Sequence, residues 1–354
     1  MNSDTITLYP TSWLYNAGVV GFISSIPFDN FKFVDGVIEV NRSVFQNLDV
    51  ESNYFDKERI INLKGKNEFY PNYIDTKGNQ KSIFIDFIRS FTNLEQTGNC
   101  NICNNAHYVP NEQIESLRNK NEVARKFFEK IKNFNMVHSK KLGPSEGEFP
   151  NGFWNMKQSL ETCHLCNFIL LHQHIPSIKL AGYSEIFINA PSFKVMYELN
   201  NLVKETYGNA SKEETRSKRE ILATSVIEYS RKITSTLGLW TEMNIEVVTK
   251  TRNGIDFFSL PYDVLKIISD RRIAALLSEL GEFKILNKVL DRNFSELTEI
   301  AYLLLRESTK DFNNRNNDLI KGLLYRRENK KYLTQTANKI LKLYSLIEEK
   351  IIRR

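Results

Sequence analysis

The sequence predicts an α+β fold, with a mixed N-terminal and middle region built on β-hairpins, an inserted stapled segment, and a helical bundle at the C-terminus. Three observations carry this expectation. The chain holds 23 Phe and 15 Tyr against only 15 Gly and 9 Pro, which favours long helices over a turn-rich all-β chain. Asp35-Gly36 and Asn253-Gly254 each separate two strand-like runs, the strongest short-range hairpin signal. All four cysteines fall in two C-x-x-C pairs some sixty residues apart. The expected division is 1–99, an N-terminal α+β part; 100–166, the stapled insertion; 167–260, helices and a hairpin completing the main body; and 261–354, the bundle.

The elements follow in order. A short strand-like segment precedes a helix around "TSWLYNAGVVGFISSI", and "FKFVDGVIEV" then reads as a hairpin. Residues 42–96 mix aromatic runs such as "SIFIDFIRSF" with Pro and Gly turns and settle on no element. "NEQIESLRNKNEVARKFFEKIKNF" (111–134) reads as one charged helix, and "GPSEGEFPNG" as a loop. Helices are expected at about 192–207 and 211–237, the second with Ile221, Leu222, Val226, Ile233 and Leu237 on one face. "MNIEVVTK" and "IDFFSL" flank Arg252-Asn253-Gly254 as a second hairpin. From Pro261 onward only helices are expected, at about 261–279, 282–292, 294–309, 315–328 and 332–352, the last with Ile340, Leu343, Ile347 and Ile351 as its apolar stripe.

At 354 residues, with 41% hydrophobic and 25% charged residues, the chain has ordinary globular composition. The N-terminal "MNSDTITLYP" lacks the pattern of a secretory signal. The longest apolar run, interrupted by Asn16 and broken at Pro27, is too short for a membrane span. A cytoplasmic, reducing location is therefore expected. The net charge of +6 is concentrated: residues 321–354 carry ten Lys or Arg against three acids. A basic block of this kind suits a polyanion, and it equally suits a solvated helix face.

In a reducing compartment two C-x-x-C pairs read as metal ligands rather than disulfides. Cys100, Cys103, Cys163 and Cys166 supply four thiolates, the set a structural Zn2+ takes in a tetrahedron with no position left for water. The pairs are too far apart for a compact zinc ribbon, whose pairs usually lie about 15–20 residues apart, so the metal ties a long insertion to the body. His107, His164, His172 and His174 lie nearby. A histidine replacing one cysteine, or a hydrolytic centre built from three of them, is the competing arrangement; His172 and His174 are expected on a local surface. Phosphate-loop, dinucleotide, serine-hydrolase and zinc-protease motifs are absent, so a non-enzymatic role is the default, with a metal-dependent nuclease using the histidines or a zinc-stapled protein-binding scaffold as alternatives.

"YPTSWLYNAGVVGF" (residues 9–22), followed by the paired C-x-x-C motifs and a helical C-terminus, resembles the large subunit of type I-B CRISPR interference complexes (Cascade) over most of the chain. The resemblance implies a subunit that contacts the 5′ handle of the crRNA beside the backbone subunits. It implies PAM recognition on target double-stranded DNA and recruitment of the helicase-nuclease. Sequence reading is then delegated to RNA–DNA pairing. The chain is shorter than that family's usual large subunit, with the deficit expected in the bundle. The family's motif-reading residues vary and are not carried over.

The residues themselves offer two nucleic-acid candidates. Lys250, Arg252 and Asn253 are expected at the tip of the second hairpin, where an amide and a guanidinium can read base edges; an ordinary solvated turn is the competing reading. Arg326, Arg327, Lys330 and Lys331 are expected to meet phosphates. Trp13, Tyr15 and Asn16 are expected to pack or cap rather than touch RNA.

Overall fold

The computed structural model describes residues 4–55, 80–103, 105–130, 133–135, 159–179, 185–207, 221, 223–227, 245–251 and 254–352. Arg252, Asn253 and most of the expected 211–237 helix, including Leu222, Ile233 and Leu237, lie outside these residues. The fold is α+β, in two compact units. One comprises Met1–Gly208 with Val248–Phe257, the other Asn209–Val247 with Phe258–Arg354.

In the first unit, β1 (Thr5–Leu8), β2 (Phe31–Val34) and β3 (Val37–Asn41) form an antiparallel sheet in the order β1-β3-β2. Val34 pairs with Val37 across a two-residue loop. Asp35 and Gly36 have φ of 45° and 87°, the left-handed pair a tight primed turn needs. Between β1 and β2 runs α1 (Trp13–Ile23). Every residue of α1 after Trp13 is buried, so this helix has no solvent face.

Short helices α2 (Val44–Asn47) and α3 (Val50–Phe55) lead to α4 (Gln80–Arg89), the segment whose sequence settled on no element. Ile83, Phe84, Phe87 and Ile88 repeat at helical spacing and are all buried, continuing into Phe91. The high aromatic content has its use here. Phe22, Phe45, Phe91 and Phe168 pack as stacked or edge-on neighbours at 5.3–6.1 Å between ring centres, the favoured geometries of aromatic pairs.

The expected single helix over 111–134 is two, α5 (Asn111–Arg118) and α6 (Glu122–Lys130). Asn121 makes the break: its Oδ1 accepts from the Ala124 amide at 2.8 Å, an N-cap that restarts the helix. β4 (Glu95–Gln96) and β5 (His107–Tyr108) pair antiparallel on either side of the first cysteine pair. β6 (Asn133–Asn135) pairs with β7 (Ser159–Glu161), which runs directly into the second. Helix α7 (His164–Leu170) follows, then β8 (Ile178–Lys179), β9 (Glu185–Asn189) and α8 (Phe193–Tyr207). The expected second hairpin is present as β10 (Glu246–Thr251) and β11 (Gly254–Ser259), in a four-stranded sheet of order β11-β10-β9-β8.

The second unit is helical after Pro261, as expected, with two boundaries moved. The 261–279 prediction divides into Tyr262–Ile268 and Arg271–Leu280, because the Asp270 carboxylate accepts from the Arg272 and Ile273 amides and starts a new helix. The 315–328 prediction ends at Leu323, and a short helix Arg327–Lys331 follows. Ile340, Leu343 and Ile347 are fully buried in the Leu333–Ile352 helix, which packs against Phe294–Ser308 and Arg271–Leu280. Among the described residues, no helix is long and apolar enough to cross a membrane.

Candidate metal centre

The four cysteine sulfurs converge. Cys100 Sγ lies 3.7 Å from Cys166 Sγ, and Cys103 Sγ lies 3.8 Å from Cys163 Sγ. All four lie within 4.8 Å of one another, and none is in a disulfide. A tetrahedral ion with bonds of about 2.3 Å to sulfur holds its ligands about 3.8 Å apart, so the two closest pairs already have that spacing. Cys163 and Cys166 are buried, while Cys100 and Cys103 are half-buried. The cluster can hold a metal ion.

Local backbone fixes each sulfur. Cys100 Sγ accepts from the Ile102 amide at 3.5 Å and from the Cys163 amide at 3.3 Å, the second bond crossing between the pairs. Cys163 is the N-cap of α7 and its Sγ accepts from the Cys166 amide at 3.4 Å. Hydrogen bonds from the other cysteines, Cys103 first, push the Cys100 thiol down. Cys103 is pushed up by its bond to Cys100, and Cys166 by burial. Four crowded sulfurs cannot all ionise unless a cation compensates them, and a bound metal ion supplies that charge. Tyr15, fully buried, has its phenol pushed up by burial and by the nearby cysteines, so it stays protonated.

The segment at 9–22 builds the floor beneath this cluster. Thr11 Oγ1 donates to the Ile102 carbonyl at 2.8 Å, gripping the turn of the first pair. Asn16 accepts from the Thr11 amide at 2.8 Å and donates to Asn189 Oδ1 at 2.9 Å, which orients the start of α1. Helix α1 packs directly on α7. A Cβ on Gly18 would lie 2.7 Å from the Ile169 carbonyl oxygen, and one on Gly21 2.1 Å from that of His172. Only glycine allows so close an approach. Tyr15 and Asn16 therefore pack and cap, as expected, and Trp13 meets Phe257 edge-on with ring centres 6.4 Å apart.

Among the described residues, the metal-ligand group contains the four cysteines and no histidine. His164, in the turn of the second pair, accepts from the Val109 amide through Nδ1 at 2.9 Å and sits edge-on to Phe87 and Tyr108. His107 Nδ1 bonds the Asn105 carbonyl at 2.9 Å, and burial pushes its pKa down. His172 is not on a surface, contrary to expectation. It is fully buried, with Nε2 2.7 Å from the Tyr54 hydroxyl, and burial pushes its pKa down to about 3. A ring so enclosed cannot serve as a base for an external substrate. His174 is half-buried.

Lys250 is also corrected. It lies within the inner strand β10 rather than at an exposed tip, and its ammonium is buried against Gln173 Oε1 at 3.1 Å and Glu185 at 3.5 Å. Burial lowers its pKa, with Glu185 opposing. Arg252 and Asn253, its expected companions, lie outside the described residues.

In the second unit Arg326, Arg327 and Lys331 are exposed and Lys330 is half-buried. Lys331 lies over the Tyr332 ring, 5.3 Å from its centre. The Arg326 guanidinium lies over Gly281 and donates to the Glu279 carbonyl at 3.3 Å. Two further cations of the basic block are engaged: Lys339 pairs with Glu279 at 2.8 Å and Lys350 with Asp270 at 3.2 Å.

Sequence reasoning missed Thr11, Gly18 and Gly21 as parts of the centre. The Gly18-x-x-Gly21 spacing inside an apolar helical run was the signal for the two glycines. The search of family models, curated proteins and solved structures found no match to this chain.

Proposed function

We propose that this chain is the non-enzymatic large subunit of a type I-B crRNA-guided surveillance complex, with one structural Zn2+ held by Cys100, Cys103, Cys163 and Cys166. Four thiolates and no open position suit a structural ion rather than a catalytic one. One observation carries the reading. The two sequence signals that suggest the family, residues 9–22 and the paired C-x-x-C motifs, are physically one assembly: Thr11 bonds the first pair and α1 packs on the helix carrying the second.

In this reading the chain acts in the cytoplasm beside the backbone subunits at the crRNA 5′ handle, probes target duplex for the PAM and helps recruit the helicase-nuclease. The ion keeps the body folded. Arg326, Arg327, Lys330 and Lys331 supply phosphate contacts that position without specifying sequence.

Co-expression with backbone subunits and a guide RNA tests the proposal. The expected result is a complex containing this chain and the RNA, whose affinity for target duplex falls steeply with salt. A chain that elutes alone, and binds neither RNA nor DNA, overturns it.

A further inference from the structure

Beside the Gly281 end of the Arg271–Leu280 helix is a partly open cavity of about 170 Å³. Ile227, Leu277 and Leu286, all buried, form its apolar walls, and Ser278 adds a hydroxyl. Tyr325, an exposed ring, and Arg326 stand among the residues that line it. An apolar cavity of about 150 Å³ takes a benzene-sized ring, so the space suits one planar ring.

The lining also narrows the chemistry. Glu282 contributes a buried carboxylate, and its oxygens already accept from the Tyr325 and Arg326 amides and from Asn329 Nδ2. That carboxylate is spent on protein donors, which disfavours an amine. The surrounding chain is cationic: Lys321, Arg326, Arg327, Lys330 and Lys331 stand against Glu328 in residues 321–332. A ring attached to a polyanion matches both features.

The backbone leaves room for Arg326 at this place. Gly281 caps the Arg271–Leu280 helix in the left-handed conformation, with φ of 57°. A Cβ there would lie 2.0–2.3 Å from three guanidinium atoms, so the missing side chain is the space that Arg326 occupies. The planar guanidinium lies beside a ring-sized cavity, bonded to the Glu279 carbonyl at 3.3 Å, and guanidinium planes and tyrosine rings are what unstacked bases lie against.

We propose that this cavity receives one unstacked base of a single-stranded nucleic acid, with Tyr325 and Arg326 as the stacking surfaces and Arg327, Lys330 and Lys331 holding the flanking phosphates. A duplex keeps its bases paired and cannot fill the site. The proposal rests on the nucleic-acid reading above and specifies the form of strand.

The test measures binding of the full chain to fluorescent oligothymidine, to its abasic analogue and to a duplex of equal length. The single strand is expected to bind about tenfold tighter than the abasic strand, the scale of one stacked base. Tyr325→Ala, at an exposed position, and Ser278→Trp, which fills the cavity, should each remove that advantage while leaving duplex affinity unchanged. Equal affinity for thymidine and abasic strands, or an advantage that survives both variants, overturns the base site and leaves the phosphate-binding reading standing. Binding to none of the three probes overturns both. An advantage that disappears with Tyr325→Ala but survives Ser278→Trp also overturns the cavity as the base site, because stacking is then on the outer ring alone.

Discussion

The hydroxyl of Thr11 is hydrogen-bonded to the carbonyl of Ile102 at 2.8 Å, across 91 positions of chain. Ile102 sits between Cys100 and Cys103, so this bond sets the turn from which two sulfurs project. Thr11→Val keeps the shape and removes the donor. It is expected to cost about 1 kcal/mol of stability, the net worth of one such bond, read as a lower urea midpoint. An unchanged midpoint would show that the turn is set by the cysteines alone.

Elemental analysis of freshly purified, reduced protein is expected to give one zinc per chain. Cys163→Ser and Cys166→Ser, at the buried positions, should lose the ion and much of the folding stability, because binding energy at such a site is folding energy. Stoichiometric metal retained in the Cys166→Ser protein would remove that residue from the ligand set.

Gly21→Ala is expected to be worse than Gly18→Ala. The added methyl meets a carbonyl oxygen at 2.1 Å in the first case and 2.7 Å in the second. Both contacts are with backbone, which cannot rotate away, so α1 must shift off α7. The cost of such overpacking is about 1–3 kcal/mol, or more for the closer contact. Thermal unfolding of the two variants, ranked against wild type, checks the order.

The buried His172 makes stability depend on pH. Its folded pKa is pushed down to about 3 by burial, against about 6.5 in an unfolded chain. Between those values the unfolded chain binds a proton that the folded chain does not. Stability is therefore complete above about pH 6.5 and falls as the pH drops toward 3, by on the order of 4 kcal/mol across the window. Urea midpoints from pH 8 to pH 5 should decline more steeply in wild type than in His172→Phe. Any metal released by acid is lost from both proteins, so the difference between their slopes isolates the histidine. Parallel slopes would contradict its burial as a neutral ring.

On the proposed function, charge neutralisation of Arg326, Arg327, Lys330 and Lys331 to Gln is expected to weaken target binding about equally for cognate and altered PAMs and to flatten the salt dependence. The check is a PAM library bound by the assembled complex at several salt concentrations. A changed ranking among PAMs would mean that these residues read bases.

How much of this was legible in the sequence depended on whether the cause was local. Asp35-Gly36 encodes its own turn, so the first hairpin was readable. The four cysteines carry their chemistry in their spacing, and their convergence follows the expectation from the two pairs. Helix α4 was missed, although Ile83, Phe84, Phe87 and Ile88 keep the helical period, because the aromatic runs lie among Pro and Gly turns that suit no single element. Lys250 was not readable. A lysine inside a buried strand is stable only because Glu185, 65 positions away, and Gln173, 77 positions away, meet its ammonium. The break at Asp270 lies between these extremes: the capping residue is local, yet an unbroken apolar period on both sides of it mimics one helix.

Helix α1 has no polar face, and its partner α7 begins only after 140 intervening residues, 24–163. During synthesis at about 5–20 residues per second, that interval lasts roughly seven to thirty seconds. Throughout it α1 lacks the partner that its two glycines fit, and the first cysteine pair, once made, waits without the second. The face of α1 that α7 covers is therefore completed only as the second cysteine pair, Cys163 and Cys166, arrives.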